Sequence, residues 1–394
     1  MFRAGVFLLK MFVYVKLYLY KKSSMRKFGG LMYLLCMLIL SSCSDDVCRV
    51  DGKMSDFPGE TTVYLLSRTG EFTHDTLMQT VMKDGSFRLE IPRDLWGEQY
   101  SLKFGDKRSS VEFFAEQGNV RVEGNGKTIY DAEVTGTAEN DSWDRYQKFT
   151  WEISRERSRL MKEIGESADP DSVKRVKYGQ LFETLDAKMN HYRDSLAQAD
   201  VNSVVALFLY YQSLQLLKYD EIDRALEKFT PQLADNRYYK ELKAQADILR
   251  KIAPGVIAPD FEVKTVDDGT IKLSSFRGKY LVLDFWASWC APCREETVYI
   301  KDIYNKFHDA GLDVFSVSLD DKKAAWLKAI EEDGMTWNHG CQLLKGGKNT
   351  PVAQLYGIDG IPAIWVIDPE GKILAQGLKG KELVAFCTGL FQNK

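Results

Sequence analysis

Residues 280–293 read Tyr280-Leu281-Val282-Leu283-Asp284-Phe285-Trp286-Ala287-Ser288-Trp289-Cys290-Ala291-Pro292-Cys293, and this stretch decides the fold of the C-terminal part of the chain. Its first seven residues form an apolar run that is typical of a buried β-strand. After Cys293 come charged residues and then apolar residues at helical spacing, among them Ile300, Ile303 and Phe307. The order predicts a strand, a turn that carries two thiols, and a helix.

The two thiols of this turn are close enough in sequence to bond to each other. At the start of a helix, unpaired backbone N–H groups and the helix dipole favour the thiolate of the first cysteine, which is the attacking species in disulfide exchange. Half of a zinc site is one alternative, but no second C-x-x-C occurs and the four histidines are scattered. A permanent disulfide is another, although so small a loop constrains the unfolded chain little. Redox chemistry is the preferred interpretation.

Three ordered segments resemble one known family. Residues 283–296 resemble the active-site segment of thioredoxins and of their extracytoplasmic relatives of the TlpA/ResA type. Residues 258–261 and 273–279 resemble the extra N-terminal hairpin of that branch, and residues 356–368 resemble the family segment that ends in a cis-proline. The resemblance covers about residues 253–394. It implies an α/β thioredoxin fold and a protein-disulfide oxidoreductase.

The resemblance also implies a role for single residues. Cys290 would be the nucleophile, and Cys293 would resolve the mixed disulfide. Pro362 would follow a cis peptide bond, where it offers no N–H to an approaching substrate strand. Asp284 would accept the proton of the resolving cysteine, because a carboxyl group in an apolar strand should have a raised pKa. The alternative for Asp284 is an edge-strand or hydrogen-bonded aspartate.

The surroundings of the dithiol would be Trp289, Ala291, Pro292 and Ile361. A proline at position 292 and an aliphatic residue at position 361, Ile361, are features that resemble those of reducing members of the family more than those of strong oxidants. Peroxiredoxins share the upstream hairpin pattern, but they need an isolated peroxidatic cysteine where this chain has a C-x-x-C. No cofactor is expected beyond the redox-active disulfide, and no metal.

The N-terminus indicates export. Met25 begins a short basic region, and residues 31–40 form an apolar core too short for a transmembrane helix, which is typical of a signal peptide. The tetrapeptide Leu40-Ser41-Ser42-Cys43 resembles the lipobox of bacterial lipoproteins and implies acylation at Cys43. We therefore expect residues 1–43 to be a lipoprotein signal region, and we expect translation to start at Met25. The expected location is the cell envelope, lipid-anchored on the periplasmic side of a membrane or at the cell surface.

Three further cysteines have no place in a motif. Cys387 lies on a predicted helix and is expected to be buried. Cys341 follows Trp337 in a segment poor in apolar residues, and we expect it to be exposed. For Cys48 the sequence offers no partner.

Two more domains precede the thioredoxin-like one, so the fold class is multidomain. Residues 44–139 contain short alternating runs separated by Gly-Asn and Asp-Gly turns, which predicts a small antiparallel β domain. This stretch resembles the β-rich domain found ahead of thioredoxin-like domains in Bacteroidetes lipoproteins. Residues 140–252 show helical periodicity, and residues 253–394 form the thioredoxin-like domain. Two pairs of tyrosines in the helical segment either pack in its core and rim or line a partner groove: Tyr210, Tyr211, Tyr238 and Tyr239.

Composition excludes some classes of function. A formal net charge of −3 and a pI near 6.0 argue against a nucleic-acid partner. The chain has no P-loop and no G-x-G-x-x-G at a βα turn, so no nucleotide is implied.

The sequence as a whole predicts an enzyme of the cell envelope that exchanges disulfides with protein thiols through Cys290 and Cys293, in the reductase direction. By resemblance, its electrons would come from a membrane thiol transporter of the DsbD/CcdA kind. The alternatives are a disulfide oxidase or isomerase, and a binding lipoprotein in which the dithiol senses redox state without turnover.

Overall fold

A computed structural model describes residues 47–68 and 74–392, without the side chain of Lys348. The chain divides into two compact units, residues up to Asp141 and residues from Ser142 onwards. The predicted signal region, with Met25 and Cys43, lies outside the described residues. Among the helices that the structure describes, none has the length and apolar character needed to cross a membrane.

The first unit contains two β-sheets. Its strands are β1 (Cys48–Ser55), β2 (Thr61–Arg68), β3 (His74–Met82), β4 (Ser86–Ile91), β5 (Gln99–Phe104), β6 (Ser110–Phe114), β7 (Gly118–Asn125) and β8 (Glu133–Thr135). One sheet has the order β4-β1-β7-β8 and the other β3-β2-β5-β6. Buried and more exposed residues alternate along β1 and β4, as expected for strands with one face on the core. The inward residues of both sheets, such as Val50 and Leu102, form a single apolar core.

One strand pairing in this unit is not antiparallel. β1 and β7 run parallel, from Cys48 opposite Gly118 to Ser55 opposite Asn125. Parallel neighbours need a long connection, and here five strands lie between the two in sequence. The prediction of an antiparallel domain therefore describes the hairpins but misses this parallel pair, because turn signals report only on local connections.

Helices occupy the middle of the chain. They are α1 (Ala138–Glu166), α2 (Asp171–Ala199), α3 (Val204–Gln212), α4 (Tyr219–Leu226) and α5 (Arg237–Lys251). Pro170 precedes α2, and Ser203 caps α3 by accepting the N–H of Ala206. Of the tyrosines singled out in the sequence, Tyr210 and Tyr238 are buried in the helical core. The other two are half-buried.

The C-terminal domain is built on one mixed sheet of the order β10-β9-β13-β12-β11-β14-β15. Its strands are β9 (Glu262–Lys264), β10 (Thr270–Lys272), β11 (Tyr280–Trp286), β12 (Leu312–Ser318), β13 (Asn338–Cys341), β14 (Ala363–Ile367) and β15 (Ile373–Gln376). Its helices are α6 (Ala291–Phe307), α7 (Lys323–Glu332), α8 (Pro351–Leu355) and α9 (Gly380–Gln392). This α/β domain follows a β-rich part and a helical part along the chain, which agrees with the predicted fold class.

The central strand β11 sends alternate side chains to two different cores. Leu283 and Phe285 belong to a core that also contains Tyr356 of the segment after α8. Val282 and Trp286 belong to a second core, which contains both cysteines of the C-x-x-C turn. Because side chains alternate along a strand, Asp284 lies on this second side of the sheet, the side of α6.

The parallel strands β11, β12 and β13 end at the same edge of the sheet. In register, Trp286 lies opposite Ser318, and Ser318 lies opposite Cys341. The chain leaves β11 at this edge and enters α6 within a few residues. The C-x-x-C turn therefore lies where the carboxyl ends of these strands meet.

Candidate active site

Cys290 and Cys293 are joined by a disulfide at the start of α6. Cys290 is the N-cap residue, and its Sγ accepts the backbone N–H of Cys293 at 3.2 Å. Both cysteines are almost fully buried, but only Cys290 lines the surface groove described next. The structure thus places the first cysteine at the surface of the site and the second behind it.

A groove of about 520 Å³ lies beside the disulfide. Its lining residues are Trp289, Cys290, Ala291, Pro292, Leu319, Ile358, Asp359, Gly360 and Ile361. Trp289 is 66% exposed at its rim. Asp359 is the one charged residue among those lining residues. The groove is therefore apolar, with a single carboxylate at its edge.

The peptide bond between Ile361 and Pro362 is cis. The carbonyl oxygen of Ile361 lies 3.7 Å from Sγ of Cys290. Pro362 has no N–H, so at this point the backbone presents an acceptor next to the sulfur and no donor. The four residues that the sequence assigned to the surroundings of the dithiol, from Trp289 to Ile361, all line the groove.

Asp284 is buried on the α6 side of the sheet. β11 is flanked by β12 and β14, so Asp284 does not lie on an edge strand. Ser316 Oγ on β12 donates to Asp284 Oδ2 at 3.0 Å. Burial raises the pKa of Asp284 to about 7; the Ser316 hydrogen bond opposes this rise, and the nearby Glu296 adds to it. A carboxyl group with this pKa can take up and release a proton near neutral pH.

Glu296 is a buried carboxyl group that the sequence interpretation missed. It lies on α6 three residues after Cys293, hence on the same face of the helix. Its Oε1 accepts the backbone N–H of Gly380 at 2.6 Å, and burial raises its pKa. The sequence could have indicated this buried carboxyl group, because Glu296 lies about one helical turn after Cys293. The spacing of the apolar residues of α6 places that position on the buried face of the helix.

Asp320 anchors the loop that precedes the first cysteine, and it too was missed. Its carboxylate accepts the backbone N–H of Ser288 at 2.8 Å and the Ser288 hydroxyl at 2.6 Å. The hydroxyl of Ser318 donates to the same carboxylate at 2.6 Å. Nothing in the spacing of the sequence pointed to this pair, because the contact joins the ends of two different strands.

The three cysteines outside the motif that the structure describes, Cys48, Cys341 and Cys387, are all buried. Cys387 packs in the core on α9, as predicted. Cys48 is buried on β1, where burial raises the pKa of its thiol to about 11. The prediction of an exposed Cys341 is wrong: it ends β13, fully buried, and its Sγ donates to the backbone oxygen of Asp320 at 3.2 Å. A short polar strand inside a sheet does not show the apolar run by which buried strands are recognised.

The described ranges, 47–68 and 74–392, contain no group of three or more histidine, cysteine, aspartate or glutamate side chains placed to hold a metal ion. The site presents the Cys290–Cys293 disulfide, with Asp284 and Glu296 buried on the same side of the sheet.

Fold and site together define a thioredoxin-like α/β domain with a C-x-x-C disulfide at the start of a helix. Residues 254–376 match the model of the AhpC/TSA family. Residues 48–143 match the model of a domain of unknown function, DUF4369. Residues 254–376 therefore form a thioredoxin-like domain that matches the AhpC/TSA family.

Two proteins similar to this chain are both named thiol-disulfide oxidoreductase ResA. The thiol-disulfide oxidoreductase ResA of Oceanobacillus iheyensis is 36% identical over 123 residues, which are 30% of this chain and 62% of that protein. ResA of Bacillus thuringiensis is 29% identical over 132 residues, 34% of this chain and 73% of that protein. The chain thus spans about three fifths to three quarters of the length of these relatives.

Two solved structures are also similar to the C-terminal domain. The thioredoxin domain of a thiol-disulfide oxidoreductase from Bacteroides vulgatus is 38% identical and covers 35% of this chain and 97% of that one, with a TM-score of 0.33. A thiol:disulfide interchange protein from a Bacteroides species is 38% identical and covers 36% of this chain and 93% of that one, with a TM-score of 0.34.

Proposed function

We propose that the protein is a disulfide reductase of the cell envelope that acts on protein disulfides through Cys290 and Cys293. The observation that supports this most directly is the position of Cys290. Its sulfur lies in the groove, at the N-terminus of α6, and accepts the backbone N–H of Cys293. After reduction the same N–H and the helix dipole would favour a thiolate at Cys290.

The reaction would run in two exchanges. The Cys290 thiolate attacks one sulfur of the substrate disulfide, forms a mixed disulfide and releases the other substrate sulfur as a thiolate, which takes up a proton. Cys293 then loses its proton and attacks Cys290 Sγ, which frees the second substrate thiol and closes the Cys290–Cys293 disulfide. Two electrons pass to the substrate, and Asp284 would take the proton of Cys293.

The groove indicates what kind of substrate would dock. Its apolar lining suits an extended peptide segment around a disulfide, and the Ile361 carbonyl is available to a backbone N–H of that segment. Pro362 has no backbone N–H, so it cannot donate to a carbonyl of the substrate segment. Backbone contacts of the substrate with the Ile361 carbonyl would thus help to bring one substrate sulfur to Cys290.

The direction of the reaction, the electron donor and the location are further parts of the proposal. Reduction outside the cytosol needs electrons, which we assign to a membrane thiol transporter of the DsbD/CcdA kind. The resemblance of residues 40–43 to a lipobox supports a lipid anchor at Cys43. Replacement of Cys43 by serine should release the protein from washed membranes, because the acyl chains supply the apolar burial that holds it there. A protein that stays in the membrane fraction would contradict the anchor.

The activity is tested by reduction of insulin with dithiothreitol as electron donor. The purified protein should accelerate the reaction well above background, and Cys290→Ser should abolish the acceleration. A wild-type protein at background would favour the redox-sensing alternative. Equilibration with dithiothreitol buffers should give a potential closer to about −270 mV than to about −120 mV, and a value above about −180 mV would favour oxidation or isomerisation instead.

A further inference from the structure

A chain of two hydrogen bonds crosses the buried side of the C-terminal sheet and ends on Asp284. The indole Nε1 of Trp337, just before β13, donates to Ser316 Oγ at 2.9 Å. Ser316 Oγ in turn donates to Asp284 Oδ2 at 3.0 Å. All three side chains are buried, and Ser316 is fully so. No water is needed to connect them.

The chemistry of the tryptophan determines which atom donates in the first of these two hydrogen bonds. An indole N–H donates and never accepts, so Ser316 Oγ must accept at that end. Of the two side chains hydrogen-bonded to Ser316 Oγ, only Asp284 can accept its hydroxyl hydrogen. A hydrogen bond to an ionised carboxylate is stronger than one to a neutral carboxyl group, so this orientation favours the charged form of Asp284. The indole itself is held by ring contacts with Tyr304 and His339.

We propose that Ser316 and Trp337 are positioning residues that keep Asp284 available as a proton acceptor in the disulfide exchange. The inference rests on the proposed function, because it assigns these residues to the base of that reaction. Neither residue touches the disulfide in the contacts described above. They act through Asp284.

The other groups around Asp284 do not supply this effect. Burial and the Glu296 carboxyl both raise the pKa of Asp284, and the Ser316 hydrogen bond is the contribution that lowers it. His339 lies next to Ser316 across the sheet, but burial lowers its pKa to about 4, so it carries no charge near pH 7. The other titratable side chains of the core that contains the two cysteines are Tyr280, Cys290, Cys293, Tyr304, Cys341 and Cys387, and Asp320 lies beside Cys341. None of these is a cation.

The test follows the titration of Asp284 in the oxidised full-length protein. Carbon-13 labelling of aspartate makes its carboxyl signal visible, and Asp284→Asn assigns the signal. In Ser316→Ala the midpoint should rise by about one pH unit or more, the effect expected when a charged acceptor loses a hydrogen bond. Ser316→Thr keeps the hydroxyl and should restore the midpoint of the wild type. Trp337→Phe removes the orienting N–H while keeping an aromatic ring at this position, and it should give a smaller rise.

Ser318 supplies a matched control. It lies two residues further along β12, on the same side of the sheet and equally buried, but its hydroxyl donates to Asp320. Ser318→Ala should leave the Asp284 midpoint unchanged. In parallel, the low-pH limb of the insulin-reduction profile should move upward in Ser316→Ala by the same amount as the midpoint.

An unchanged midpoint in Ser316→Ala, or an equal shift in Ser318→Ala, overturns the inference. If Ser316→Ala does not fold, Trp337→Phe decides, and an unchanged midpoint there overturns it as well. The titration needs no turnover. A wild-type protein without insulin reduction therefore contradicts the proposed function, whereas an active protein whose midpoint ignores Ser316 contradicts this inference alone.

Discussion

The backbone N–H of Cys293 points at the sulfur of Cys290 across 3.2 Å, within the first turn of α6. This one contact distinguishes the two cysteines: the sulfur of Cys290 receives a helix N–H and faces the groove, whereas Cys293 lies behind it. A thiolate at Cys290 would be stabilised by this hydrogen bond and by the helix dipole, and no such donor to Cys293 Sγ is part of the site described above. It supports the proposed roles of Cys290 as the attacking cysteine and Cys293 as the resolving cysteine.

Replacement of Cys293 by alanine should trap mixed disulfides between Cys290 and substrate proteins. The nucleophile survives in this variant, but the thiol that would release the substrate is gone. Non-reducing gels of envelope fractions check this, with Cys290→Ala as the matched control that should trap nothing. Equal trapping by the two variants would contradict the assignment of roles.

Replacement of Asp284 by asparagine should stabilise the oxidised protein at alkaline pH. Folding raises the pKa of Asp284 from 3.8 to about 7, so between these values the folded state holds a proton that the unfolded chain has lost. The contribution of Asp284 to stability therefore falls as pH rises through this window, by about 1.4 kcal/mol per pH unit at most.

Urea unfolding of both proteins at pH 4 and pH 8 measures this effect. The asparagine variant should exceed the wild type by up to a few kcal/mol at pH 8, and the difference should be much smaller at pH 4. The same variant should release mixed disulfides more slowly near pH 7, because the proton acceptor is lost. Equal stability at pH 8 would show that Asp284 keeps its ordinary pKa.

The carboxylate of Asp359 should favour substrates with a positive charge near the disulfide. Asp359 is exposed and is the one charged residue that lines the groove. Exposed ion pairs are weak, so a peptide with lysine next to its disulfide should react about two- to five-fold faster than its glutamate counterpart, and salt should reduce the difference.

Asp359→Asn should remove this preference. Asp309→Asn serves as a control, because Asp309 is an exposed carboxylate after the far end of α6 and does not line the groove. If both peptides react equally fast with the wild type at low salt, the groove does not select for charge.

A fragment of residues 253–394 should reduce insulin, but it should be less stable than one of residues 237–394. The shorter fragment lacks Ile252, which is 2% exposed, and Leu249, and both pack in the core that contains Tyr356. Loss of this apolar burial should cost about 2–4 kcal/mol. Unfolding of the two fragments in urea measures the difference. A shorter fragment that is folded but inactive would mean that the helical segment completes the site.

The local sequence was enough to predict much of this protein. An apolar run, two cysteines three residues apart and a helical pattern predicted the strand β11, the turn and α6, because each depends on neighbours in the chain. The motif segments also predicted the thioredoxin fold and the cis bond before Pro362. Alternation along β1 and β4 predicted strands with one buried face.

Other features required the tertiary structure. The register of β11, β12 and β13 brings Ser316 to Asp284 and Ser288 to Asp320, and each of these pairs is 32 residues apart in sequence. It also buries Cys341, although the polar strand that carries it gave no signal of burial. The parallel pairing of β1 with β7 likewise joins two segments that are far apart in sequence.

The physical reason is the range of each effect. The propensity of a segment and its apolar period are properties of a few adjacent residues, so a single sequence displays them. The pKa of Asp284 depends instead on burial, on a donor from the next strand and on a carboxyl group from a helix. Sequence by itself determined the residues to which we assign the chemistry, Cys290, Cys293 and Asp284; only the packing of sheet against helix decided how strongly one of them, Asp284, holds its proton.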